Sequence, residues 1–312
     1  MEYSVQVVAS GIKTNKLKDY LLLVKPSLTI MVVFSSVVSY LFAPKVVEYD
    51  LLMLILLFIG GFLVTGSANA INQVVEKDTD AVMKRTAKRP VAAGRMSESE
   101  GYAFAIITGA IGIFILGYFF NWLSAGLAAF SLFLYAFIYT PLKKVNAIAV
   151  LAGAFPGALP CLIGWAAGND AIFQSGHGWA DYGGWALFAI QFLWQFPHFW
   201  AIAWVAHRDY TTAGFKLLPA DKGPTKFTAL QTIIYSLLLL PFCILPFILG
   251  SSRYEGVGGM ICLGIVVIAN LFLIMQCVRL YIRMDAGAAR RVMFSSYIYL
   301  PFVLLALLAC KG

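Results

Sequence analysis

Asn72, Glu76 and Asp80 are the residues whose types and spacing best suit chemistry. They stand four apart in the stretch 69–94, where three acids, five cations and two asparagines follow a long apolar run. On a continuous helix each four-residue step turns about 40° and rises about 6 Å. The three side chains then share one face, within an arc of roughly 80°. An amide oxygen and two carboxylates are hard donors, the kind Mg²⁺ takes, usually together with phosphate. Arg85, Lys88 and Arg89 follow, placed to hold the remaining charge of such a phosphate. Asp78 lies off the shared face if the helix continues, so its role is less defined. The plain alternative is a solvated flank at a membrane helix end. The shared face and the order of acids before bases favour a site.

A second polar stretch, 194–223, carries Gln195, His198, His207, Arg208, Asp209, Lys216, Asp221 and Lys222. Gln195 and His198 are one turn apart inside an apolar segment. A histidine there usually faces the interior of a helix bundle; its bland counterpart is a ring bonded to a backbone carbonyl. Asp209, beside Arg208, is either a second-site acid or a cap in a surface pair. His207 belongs at the interface and His177 to a Gly-rich external loop. A third feature, Tyr139 to Asn146, brings Lys143 and Lys144 to the same side, where they close an anion site or serve only as topology determinants. The two polar stretches lie four helices apart, which suggests a pseudo-repeat.

The elements that must position these residues are membrane helices. The chain is 61% hydrophobic and 12% charged, with a mean hydropathy of +0.82, which excludes a soluble domain of this length. Nine apolar segments are expected, over 20–43, 50–75, 102–121, 123–140, 147–168, 184–206, 227–249, 257–278 and 292–310. Pro197 predicts a kink in the sixth. Nineteen of the 23 Lys and Arg residues then fall on one side, which predicts a cytoplasmic N-terminus. Lys25 is placed within the first helix. The net charge of +8 is accounted for by topology and anion-site residues, so no nucleic-acid partner is implied. The five cysteines, scattered in apolar runs, read as small hydrophobes. The expected fold is all-α: a cytoplasmic tail (1–18) and one transmembrane domain (19–312) built around a central cavity.

The string Asn72-x-x-x-Glu76-Lys-Asp78-x-Asp80-x-x-Met-Lys-Arg85-Thr-x-x-Arg89-Pro resembles the first aspartate-rich motif of the intramembrane prenyltransferase superfamily. Three further runs are similar to the heme-modifying branch of that superfamily: Trp194-Gln195-x-Pro197-His198-Phe199-Trp200, then Arg208-Asp209-Tyr210, then Gly214-x-x-x-Leu-Pro219. Gly153-x-x-Pro156-Gly-x-x-Pro160-x-x-x-Gly164-Trp165-Ala adds to the likeness, which covers about 20–310. The resemblance implies nine helices around a cavity, a polar cytoplasmic mouth and an apolar tunnel open to lipid. It implies transfer of a farnesyl group from farnesyl diphosphate to a vinyl group of heme b, completed by water. It also implies Mg²⁺ on Asn72, Glu76 and Asp80, with Arg85, Lys88, Arg89, Lys143 and Lys144 on the diphosphate. Gln195, His198, Arg208 and Asp209 would serve the acceptor side. The setting implied is the bacterial inner membrane, with heme A synthase or cytochrome oxidase as candidate receivers of the product.

The chain departs from the superfamily pattern at Gln73, where Asp is usual, at Glu76, and in lacking a second paired-aspartate motif. Competing readings are a quinone-type aromatic prenyltransferase and, in a different class, a small-anion transporter. Acids clustered at helix ends rather than at midplane disfavour transport.

Overall fold

The computed structural model describes residues 15–173, 178–219, 223–250, 254 and 256–309. Residues 1–14, His177, Asp221 and Lys222 lie outside them, as do Arg253, Cys310 and Lys311, which belong to the cations and cysteines counted above. The regular elements of the described residues are all helices, with no strand. In order, the elements are α1 (Lys16–Val24), α2 (Pro26–Phe42), α3 (Leu51–Val75), α4 (Lys77–Val82), α5 (Glu98–Phe119) and α6 (Trp122–Phe133). A π-helical turn (Leu134–Tyr139) and the short α7 (Thr140–Leu142) continue α6. Then follow α8 (Ala149–Asn169), α9 (Trp179–Val205), α10 (His207–Thr212), α11 (Lys226–Leu249), α12 (Gly256–Arg283) and α13 (Ala286–Ala309).

Seven of these rods are long and apolar enough to cross a membrane, and the bent pair α1–α2 makes an eighth. The 27-residue α9 is also long enough to span. Its composition falls short because Gln191, Gln195, Pro197 and His198 dilute the apolar run. The nine expected segments therefore correspond to nine rods, of which eight qualify on apolarity alone. The protein is an integral, multi-pass membrane protein. α9 continues through Pro197 as helix and is capped at Ala206.

α8 is the central helix. Buried residues fill 72% of its apolar window, against 28–39% in the other six qualifying rods. Small residues make this possible, because in lipid close helix approach relies on packing rather than on a hydrophobic drive. A Cβ on Gly164 would sit 1.8 Å from the backbone oxygen of Ser36 on α2, so α8 and α2 touch backbone to backbone. The motif glycines of α8, at 153, 157 and 164, thus allow close approach of Tyr139, Gln195 and the α2 backbone. Cys161, Cys243, Cys262 and Cys277 are all buried, as small hydrophobes would be.

The first segment does not form one helix. Lys25 adopts a left-handed conformation (φ 54°, ψ 68°), and the chain bends by 45° between α1 and α2. Pro26 is the cause: it disfavours α geometry in the residue before it and removes a backbone donor. The freed carbonyls of α1 must be satisfied inside the protein. Gln73 Nε2 donates to the carbonyls of Leu22 (3.0 Å) and Leu23 (2.8 Å). Asn69 Nδ2 and Thr29 Oγ1 donate to that of Val24. This gives Gln73 its physical reason: an amide can donate to carbonyls, whereas the carboxylate of the superfamily pattern cannot.

Candidate functional site

Three loops from one side of the bundle meet. α3 stops at Glu76 (φ −95°, ψ 12°) and restarts as the six-residue α4. α9 stops in the same way at Ala206 (φ −94°, ψ 16°) and restarts as the six-residue α10. The matching breaks support a pseudo-repeat. They also correct the expectation of one continuous helical face: Asn72 lies on α3, Glu76 at the break and Asp80 on α4. Beyond the breaks, Met83 packs with Ala213 and Phe215, and the Arg85 guanidinium lies 5.7 Å from the Tyr210 ring centroid. The backbone N–H of Lys216 donates to the Lys143 carbonyl at 2.8 Å, tying in the third loop.

The third loop owes its position to the π-helical turn. Pro141 has no N–H to give and its ring would clash with the preceding turn of a regular helix. The widened turn, of the kind often found at functional sites, absorbs this, and Thr140 Oγ1 donates to the Tyr135 carbonyl at 2.8 Å. Lys143 is thereby carried over α3, with its ammonium 4.4 Å from the Tyr139 ring centroid.

The result is a buried mixed-charge cluster. Lys143 Nζ donates to Asn72 Oδ1 (2.8 Å) and Glu76 Oε1 (2.7 Å), and Asn72 Nδ2 donates to Glu76 Oε2 (2.6 Å). Asp80, fully buried, accepts from Arg89 Nη1 with both carboxylate oxygens, at 2.7 and 2.6 Å. Burial pushes the Asp80 carboxyl up, against the pull of Arg89 and a hydrogen bond from Thr86. The bend after α1 brings Lys25 within electrostatic reach of Glu76, Asp80, Arg89 and Lys143. The sequence reading left Lys25 inside a helix. The signal that could have found it is the Lys-Pro dipeptide.

Not all expected residues join. Asp78, Lys88, Lys144 and Arg208 are exposed, and Arg85 is exposed at the rim against Tyr210. Asp209 is half-buried on α10, with no side-chain hydrogen bond or ion pair to the described residues. Gln195 and His198 are buried deeper, on α9. Gln195 Nε2 donates to the Ala154 carbonyl (2.9 Å), and its Oε1 fills the space left by Gly157, where a Cβ would lie 1.9 Å away.

Below the cluster opens a cavity of about 690 Å³, lined mainly by apolar groups. Asn69, Tyr135 and Tyr139 border it on the charged side, and Gln195, His198 and Trp194 border it from α9. Its size and few convergent polar groups are those of a ligand site. The arrangement accommodates an anionic head at the cluster and an apolar body below.

Residues 32–298 match the UbiA prenyltransferase family. The chain belongs to the UbiA prenyltransferase family. This UbiA-family chain is 42% identical over 301 residues to the protoheme IX farnesyltransferase of Cytophaga hutchinsonii, covering 95% of this chain and 99% of that one. It is 40% identical to that of Flavobacterium johnsoniae, covering 94% of each. Among solved structures it resembles a digeranylgeranylglyceryl phosphate synthase (TM-score 0.71, 20% identity, covering 95% of this chain and 98% of the other). It also resembles a UbiA homolog from Archaeoglobus fulgidus bound to GPP and Mg²⁺ (TM-score 0.67, 15% identity, covering 93% and 99%). The UbiA-family protein is a membrane prenyltransferase.

Proposed function

We propose that the protein transfers a farnesyl group from farnesyl diphosphate to a vinyl group of heme b, with addition of water, giving heme O and diphosphate. The observation that carries this reading is the junction of the buried charge cluster with the apolar cavity that His198 also borders. Its relatives named protoheme IX farnesyltransferase supply the acceptor.

The diphosphate head would lie at the cluster, where Lys143, Arg89 and Lys25 offer charge-assisted donors. Arg85, exposed against Tyr210, and the exposed Lys88 and Lys144 would draw in the anion. Asn72 Oδ1 and the carboxylates of Glu76 and Asp80 are hard oxygen donors, so the set fits Mg²⁺. Among the described residues no three His, Cys, Asp or Glu side chains converge on one point. The protein would therefore supply part of the coordination shell, and phosphate oxygens the rest, as is usual for this ion. When bound, the ion neutralises charge on the departing diphosphate.

In the transfer, the bond between farnesyl C1 and its oxygen breaks and the electron pair leaves with diphosphate. Lys143 and Arg89, already fixed by their hydrogen bonds, stabilise that anion without reorganising. The allylic cation faces Tyr135 and Tyr139, whose ring faces are suited to positive charge. The vinyl π pair forms the new carbon–carbon bond. Water adds to the resulting cation beside the porphyrin ring and loses a proton. The excess of Lys and Arg on the loops bearing the site supports a cytoplasmic mouth and N-terminus, in a bacterial inner membrane.

Purified protein incubated with farnesyl diphosphate, Mg²⁺ and heme b is the test. Mass analysis should show a heme carrying one farnesyl group and one water. An unmodified heme, alongside prenylation of a phenolic acceptor, would overturn the reading.

A further inference from the structure

On α9, Trp194 and His198 stand one turn apart with ring centroids 4.5 Å apart and planes 19° from parallel. Ser296 on α13 ties both down. Its backbone oxygen accepts from Trp194 Nε1 at 2.8 Å, and its Oγ lies 2.8 Å from His198 Nδ1. The same Oγ lies 2.7 Å from the carbonyl oxygen of Met293. A hydroxyl has one proton, and a carbonyl oxygen can only accept. The Ser296 proton therefore goes to Met293, and Oγ accepts from His198. Nδ1 must carry a hydrogen.

The ring is 5% exposed and, among the described residues, paired with no acid, so a charge on it would be costly in this setting. A neutral imidazole with its hydrogen on Nδ1 presents a bare lone pair at Nε2. Among the described residues Nε2 has no hydrogen-bond partner, and the ring borders the cavity. Tyr297 meets it edge-on, with centroids 4.6 Å apart and planes at 85°, so the ring is held on both sides. An imidazole anchored through one nitrogen with the other left bare is how histidines are prepared for metals, and iron is among those that imidazole suits.

We infer that His198 Nε2 is an axial ligand to the iron of the porphyrin acceptor, and that Ser296 is the positioning residue that fixes its tautomer. This rests on the reading of heme as acceptor given above. Ligation docks the macrocycle by its centre. It also meets a lone pair that would otherwise stay unsatisfied in an apolar cavity.

The test compares heme b with metal-free protoporphyrin IX, each titrated into full-length protein in detergent and followed by visible absorption. The unmodified protein binds heme b more tightly than the metal-free ring and shows the spectrum of a histidine-ligated heme. His198→Ala loses both the spectrum and the advantage of iron. Ser296→Ala weakens heme b binding roughly 10–100-fold, the usual loss when the partner of a ligating histidine is removed, and leaves the metal-free ring unaffected. Ser296→Thr, which keeps the hydroxyl, retains heme binding. Equal affinity of the unmodified protein for the two porphyrins overturns the ligand assignment alone. So does an equal loss of both porphyrins in His198→Ala, whereas unchanged heme binding in Ser296→Ala overturns the positioning role of Ser296. Failure of the unmodified protein to bind either porphyrin overturns the heme reading, and this inference with it.

Discussion

Replacing Lys143 by methionine removes one charge and three donors while keeping a side chain of similar length. The consequence follows from what is left behind. Glu76 is 5% exposed, and its only remaining hydrogen-bond donor among the described residues is Asn72 Nδ2. Breaking a buried ion pair by deleting one partner costs about 3–5 kcal/mol, because the other charge stays buried without compensation. Lys25 still lies within electrostatic reach of Glu76, which argues for the lower end, about 3 kcal/mol. At 1.36 kcal/mol per decade, that is roughly a hundredfold in the folding equilibrium. Adding Glu76→Gln to Lys143→Met deletes the stranded charge and keeps the amide bond to Asn72. The double variant should recover most of the loss, leaving a coupling of about 2 kcal/mol between the two sites. Denaturant unfolding in detergent measures the cycle, and calorimetry with farnesyl diphosphate and Mg²⁺ runs beside it. Recovered stability without recovered diphosphate affinity is the expected pattern, since a methionine and a glutamine offer neither cation nor carboxylate. Additive losses in stability would show that Lys143 and Glu76 do not form the pair on which the site argument depends.

Asp80→Ala should abolish prenyl transfer and, by stranding Arg89, also lower stability by about 3 kcal/mol. Glu76→Asp should retain part of the activity because the donor type is kept, and full activity of Asp80→Ala at limiting Mg²⁺ would contradict the assignment. Gly164→Ala should destabilise by about 3 kcal/mol or more, because the new Cβ meets the α2 backbone rather than a movable side chain; an unchanged melting temperature would refute the close packing of α8 on α2. Mg²⁺-dependent affinity for farnesyl diphosphate should fall on acidification, with a midpoint above about 3.9, the ordinary aspartate value, since burial raises the Asp80 carboxyl and binding needs it ionised. Stability should not fall with it on account of Asp80, because a carboxyl raised in the fold holds its proton more tightly there than in the unfolded chain. Affinity that stays flat down to about pH 4 would count against Asp80 as a ligand.

Much of the molecule was legible in the residues themselves. Apolar runs of membrane length must be helices, because lipid leaves the backbone no other partner, and the loops between them could be placed from their cations. The polar side chains at 72, 76 and 80 stood out because charge at a membrane helix end needs a reason. Even the bend at Lys25 was written locally, in the proline that follows it. What the sequence could not reveal is which polar residues share a space. The breaks at Glu76 and Ala206 turn two helix ends toward each other, and a widened turn swings Lys143 onto Asn72 and Glu76. Asp78, Lys88 and Lys144, alike in type and near in sequence, stay exposed. Gln73 departs from the superfamily pattern for a reason 50 residues away, at the open end of α1. Ser296 carries no signal at all in its own segment. It matters only because α13 sets it against a histidine 98 residues earlier. Spacing along a chain constrains the neighbours within one helix, whereas contacts between helices are set by packing and by the need to satisfy every buried polar group at once.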